Sequence, residues 1–196
     1  MGIRIPRERQ RSSEAKAPRG ANSERIEGLA PSIDSDCRVL VVGSMPSRRS
    51  LAVQEYYGHP QNRFWPFVEQ LFGIARTLPH DERLARLRSQ RVALWDVARS
   101  CERETSADSD MRAVEPNDFV ALLRENEQIE RVFCNGSKAF DLWRRLVVPR
   151  LESELGRDVP RVRLPSTSPA NASQSVEDKL AAWRAVVGAV ANLANQ

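Results

Sequence analysis

Four short apolar runs constrain this chain more than any single residue does. They are Arg38–Gly43 (RVLVVG), Arg91–Asp96 (RVALWD), Ile129–Cys134 (IERVFC) and Arg161–Leu164 (RVRL). Each is too short for a buried helix and rich in β-branched residues, so each reads as a buried strand. Helix-period segments lie between and after them. Trp65–Phe72 carries a stripe with Phe64, Phe67, Val68 and Leu71, and Asp81–Gln90 repeats Leu84 and Leu87. Pro116–Phe119 opens a helix through Leu123, with Asn117 or Asp118 at its cap. Ser137 to about Leu151 and Val176–Leu193 complete the set. Strands alternating with helices predict a three-layer α/β/α domain around a four-stranded, mostly parallel sheet. In such sheets ligands bind beyond the carboxyl ends of the strands. Chemistry is therefore expected just after Gly43, Asp96, Cys134 and Leu164.

Composition narrows the class. The chain has 196 residues, 41% hydrophobic and 29% charged, enough for one domain with a proper core. No apolar run approaches bilayer length, so no membrane span is expected. Residues 1–25 lack an apolar stretch suited to secretion. Three scattered cysteines and two histidines make no disulfide framework, metal site or cluster-binding pattern. The expectations are a cytoplasmic location, no cofactor and no metal. Residues 1–25 carry seven Lys/Arg against three Glu, the whole net charge of +4. The balance predicts a basic arm over residues 1–34, suited to solvent or to an anionic partner, and a neutral domain over 35–196.

All four strand ends carry unusual segments. Gly43-Ser-Met-Pro-Ser47 exposes backbone N–H groups that could hold a phosphate or orient a water, or it is a plain strand-to-helix turn. Its spacing fits neither common nucleotide loop. Tyr56–Trp65 (YYGHPQNRFW) crowds aromatic rings beside an amide and an arginine, a composition suited to stacking on a base and reading its edge. Its rings also suit core packing. Leu164–Ala172 (LPSTSPANA) sets small hydroxyl residues between prolines, giving a stiff loop that could press on a nucleic-acid backbone or simply cap the last helix.

In order, GSMPS, YYGHPQNRFW, LWDV, NGSKAF and LPSTSPANA resemble the uracil-DNA glycosylase superfamily, and within it the hypoxanthine-DNA glycosylase family. HPQNRFW is also similar to a stretch of the mismatch-specific uracil glycosylases. The resemblance covers about residues 36–190. It implies a uracil-DNA glycosylase-like fold and hydrolysis of the N-glycosidic bond of a flipped, deaminated base without a metal. Double-stranded DNA would be the partner, and a monomer is expected.

The resemblance also implies roles. Gly43 and Ser44 match a motif bordering the base, whose third position is Asp or Asn in the main uracil-removing enzymes and is Met45 here. With no water-holding group at Met45, Asn62 takes that role as the catalytic residue. Phe64 matches the ring that stacks on the flipped base. Asp96 stands where the superfamily reads the base edge, although an ion pair with an arginine would equally explain it. Ser47, Asn135 and Ser137 are expected near DNA phosphate. Ser166, Thr167, Ser168, Pro169, Ala170 and Asn171 match the loop that wedges into DNA. A position that is His in efficient uracil enzymes reads Ser166, and the apolar wedge position reads Ala170. These departures imply a slower enzyme whose leaving base departs neutral. The roles of Asp108 and Lys138 stay open, and a monofunctional enzyme is expected. Uracil or thymine mispairs, a damage-binding module without catalysis, and a free-nucleoside hydrolase are the competing functions.

Overall fold

The computed structural model describes residues 24–171 and 174–193. Its centre is a four-stranded sheet of β2 (Val39–Gly43), β3 (Val92–Asp96), β6 (Arg131–Asn135) and β7 (Arg161–Leu164). The spatial order is β3-β2-β6-β7, and every neighbouring pair is parallel. These strands are the four apolar runs.

The twofold period of the strands explains the layers. Leu40 and Val42 of β2, Ala93 and Trp95 of β3, and Val132 and Cys134 of β6 face one core. That core is closed by α4 (Phe119–Glu125), α5 (Ser137–Leu142) and α6 (Val148–Glu154) through Phe119, Leu123, Leu142 and Leu151. Val39, Val41, Val92, Leu94 and Phe133 face the opposite core. It is closed by α2 (Phe64–Phe72), α3 (His80–Ser89) and α7 (Val176–Leu193) through Phe67, Val68, Leu87 and Trp183. The Asp118 side chain caps α4 by accepting from the Ala121 N–H at 3.3 Å. A π-helical turn, Trp143–Val147, joins α5 to α6. It immediately precedes the first turn of α6, where Pro149 lacks an N–H to continue a regular ladder.

Two elements depart from expectation. A second, antiparallel sheet joins β1 (Glu24–Glu27), β4 (Ala98–Arg103) and β5 (Arg112–Pro116) in the order β1-β4-β5. The expectation of an arm over residues 1–34 therefore does not hold for residues 24–34. Residues 24–34 belong to the domain: β1 pairs with β4, Tyr56 Oη donates to Ala30 O at 2.8 Å, and Ser32 bridges Leu94. Residues 1–23 lie outside the described residues. A short helix α1 (Arg48–Val53) also follows β2, capped by Ser47 Oγ accepting from the Ser50 N–H. Among the described residues no helix is long and apolar enough to cross a membrane.

Candidate active site

The carboxyl ends of β2, β3 and β6 open into a cleft of about 440 Å³. Of the residues singled out from sequence, all but Phe64 and Pro169 border it. The sheet explains the convergence. Gly43 pairs with Asp96, and Asn135 with Leu164, so the segments after each strand meet at one edge.

Asp96 forms part of the wall. It is 3% exposed, its Oδ2 has no hydrogen-bond partner, and no cation lies within ion-pair distance among the described residues. The arginine pairing that sequence left open is not made. Burial pushes its carboxyl up to about 7; the Arg103 guanidinium opposes the rise and Asp108 adds to it. A Cβ at residue 43 would overlap Asp96 Oδ1, so only glycine admits this carboxyl against β2. Arg103, 1% exposed, donates from Nη2 to Pro46 O and so braces the Gly43–Ser47 turn. Ser44 Oγ donates to Asp108 Oδ1 at 2.6 Å, which brings Asp108 into the cleft. Met45 is buried against the core and presents no group able to hold water.

Asn62 is partly exposed at the cleft edge, and its Oδ1 accepts from the Phe64 N–H at 2.9 Å. That bond fixes the amide plane and leaves Nδ2 and a second Oδ1 lone pair to engage a water.

Phe64 corrects an expectation. It is 1% exposed and belongs to the core. Tyr57 lies over it, ring centroids 3.9 Å apart and planes 22° from parallel, and borders the cleft itself. The ring available to a base is therefore Tyr57, with Phe64 as its support. Tyr57 holds φ at +55°, a strained left-handed backbone for an aromatic residue. Its hydroxyl is buried, and burial with Asp96 nearby pushes the phenol upward. The doubled tyrosine before Gly58 was the only sequence signal for it.

Asn135 and Thr167 are also corrected. Asn135 Nδ2 donates to Thr167 Oγ1 and Asn135 Oδ1 accepts from the Thr167 N–H, both at 2.9 Å. Both residues are buried, so their polar groups fasten one loop to another instead of meeting a phosphate. Ser47 is likewise engaged at its helix cap. The loop they hold is tied down at several points. Ser166 Oγ accepts from the Ser168 N–H and Ser168 Oγ from the Ala170 N–H, while Trp183 Nε1 donates to Pro165 O. Lys179 Nζ donates to Asn171 O, and the Arg63 N–H donates to Thr167 O. Gly136, at φ +98°, allows close packing: a Cβ there would lie 2.9 Å from Ser166 Cβ. Ser137 and Ala170 are exposed and Ser166, Ser168 and Asn171 partly so, on the cleft rim; Pro169 is exposed outside it. Lys138 borders the cleft and is in no ion pair among the described residues. No group of three or more potential metal-ligating side chains occurs among the described residues.

A sequence model of the uracil DNA glycosylase superfamily matches residues 30–187. The chain belongs to this superfamily. Similar proteins include a hypoxanthine DNA glycosylase of Methanosarcina acetivorans, 32% identical over 160 residues, covering 81% of this chain and 96% of the relative. A hypoxanthine DNA glycosylase of Methanosarcina barkeri is 32% identical over 114 residues, covering 58% of this chain and 72% of its own. Among solved structures, the solution NMR structure of a Methanosarcina acetivorans protein described as a candidate uracil DNA glycosylase superposes with a TM-score of 0.71. It is 30% identical and covers 86% of this chain and 99% of its own.

Proposed function

We propose that this DNA glycosylase acts as a monomer on duplex DNA and hydrolyses the N-glycosidic bond of flipped hypoxanthine. The observation that carries the reading is the meeting of Asn62, Tyr57 and Asp96 around one cleft. Tyr57 offers a ring face for stacking, worth about 1–3 kcal/mol per base. Asn62 holds a water against the sugar, and its amide is already oriented by the Phe64 N–H. As the base leaves, positive charge builds at C1′ and the water adds there. The exposed rim of Ser137, Ser166, Ser168, Ala170 and Asn171 meets the DNA backbone. The relatives named hypoxanthine DNA glycosylases support hypoxanthine as the base.

The test is cleavage of end-labelled duplexes carrying one deoxyinosine, deoxyuridine or T·G mispair, with abasic product revealed by alkali and Asn62→Ala run alongside. Deoxyinosine cleavage that falls about 100-fold or more in the variant is expected. Cleavage confined to deoxyuridine or the mispair would move the substrate, an outcome favoured by the name given to the structural neighbour. Lesion binding with no abasic product would overturn the enzymatic reading.

A further inference from the structure

We propose that Asp96 is the general acid of the reaction, delivering its proton to N7 of the departing hypoxanthine. The proposal rests on the hypoxanthine reading above. Asp96 is a carboxyl 97% withdrawn from solvent, at the cleft wall, with an unpartnered Oδ2 and no ion pair. A buried carboxyl without a partner favours its protonated form.

Its surroundings maintain that form. Arg103 on β4, the cation whose charge opposes the rise, donates to Pro46 O. Asp108, from the 3-10 turn Asp108–Asp110, faces Asp96 and is fixed by the Ser44 hydroxyl. Among the described residues, Tyr56 and Tyr57, from the loop between α1 and α2, also feel Asp96; burial and Asp96 push both phenols upward, so both are neutral. The balance places Asp96 near 7, where a carboxyl can both hold and release a proton at neutral pH.

Two cleft positions that could have assisted the leaving base do not. Met45 carries no acid, and Ser166 carries no charge to stabilise an anionic base. A purine departs readily once N7 is protonated, because the imidazole then accepts the C1′–N9 electron pair without gaining net charge. The Asp96 proton passes to N7, the C1′–N9 pair goes to N9, and hypoxanthine leaves as its neutral N7–H tautomer. Water adds to C1′, and the proton it sheds returns to the Asp96 carboxylate through solvent.

The experiment measures single-turnover cleavage against pH for wild type, Asp96→Asn and Asp108→Asn, on duplexes carrying deoxyinosine or 7-deaza-deoxyinosine. For wild type on deoxyinosine, a plateau below about pH 7 and a tenfold fall per pH unit above it are expected. Asp96→Asn lowers the plateau about 100-fold or more and removes the falling limb. Asp108→Asn, which retains the bond from Ser44, moves the limb to lower pH. Removing N7 slows wild type as severely as Asp96→Asn does and slows that variant no further. A near-wild-type rate in Asp96→Asn, an unmoved limb in Asp108→Asn, or equal cleavage of the 7-deaza duplex by wild type would each overturn the proposal. Absence of deoxyinosine cleavage in wild type would instead remove the substrate reading, and the proposal with it. Should Asp96→Asn fail to fold, the Asp108→Asn and 7-deaza arms decide.

Discussion

Replacing Asp96 by Asn should stabilise the protein, and the gain should grow with pH. The folded carboxyl titrates near 7, against an ordinary 3.8. Between these values the folded state holds a proton that the unfolded chain has released, so raising the pH lowers stability. A gap of roughly three pH units at 1.36 kcal/mol each amounts to about 4 kcal/mol. The contribution is fully present below the unfolded value and is lost as pH rises through the folded one. About 2–3 kcal/mol of it is lost between roughly pH 5 and pH 8.5. An amide of the same shape does not titrate, so Asp96→Asn escapes that loss.

Urea unfolding followed by tryptophan fluorescence, for both proteins at the two pH values, measures this directly. Comparing the proteins cancels the titration of every carboxylate they share. The stability difference should shift toward the variant by about 2–3 kcal/mol on going from the acid to the alkaline condition. A difference that is the same at both would refute a raised Asp96 and remove the electrostatic support for its role as an acid.

Gly43→Ala places a methyl group onto Asp96 Oδ1; we expect a loss of about 1–3 kcal/mol in unfolding free energy together with loss of cleavage. Asn135→Ala removes two bonds to Thr167 and should destabilise by about 1–3 kcal/mol, with faster amide exchange across residues 165–171. Tyr57→Leu, which keeps an apolar cover over Phe64 but removes the ring, should weaken binding of a lesion duplex by roughly tenfold with little effect on melting. Phe64→Ala should do the reverse, losing about 3–5 kcal/mol of stability; a binding defect confined to Phe64→Ala would restore Phe64 as the stacking ring.

The central sheet was legible because β2, β3 and β6 are buried on both faces and are written as apolar runs; β7, at the edge, is partly exposed and is marked only by Val162 and Leu164. The second sheet was not. Its strands read ERIE, ARSCER and RAVEP, and most of their residues are exposed or only partly buried, so no apolar pattern announces them. What makes β1 a strand is its partner, β4, more than seventy residues away. The same non-local cause hid the roles of Asn135 and Thr167. Asn135 follows a strand and precedes a helix, which suggests a cap, yet its amide is held by a residue 32 positions on. Phe64 and Tyr57 are both aromatic residues of one motif, and nothing local tells which ring faces the cleft. The left-handed turn at Tyr57 decides it by laying one ring over the other.

Asp96 and Arg103 show how the architecture favours reactivity over pairing. Both are buried, their charges attract, and a direct bond between them would have pulled the Asp96 carboxyl well below neutrality. The guanidinium donates instead to Pro46 O, shaping the turn after β2, while its Nε remains without a partner. Asp108, held by Ser44, adds negative potential on the side facing the cleft. Gly43 then lets the carboxyl lie against the strand where any other residue would displace it. Together these arrangements leave a buried, unpaired carboxyl at the cleft wall, which is the placement the proposed proton donation requires.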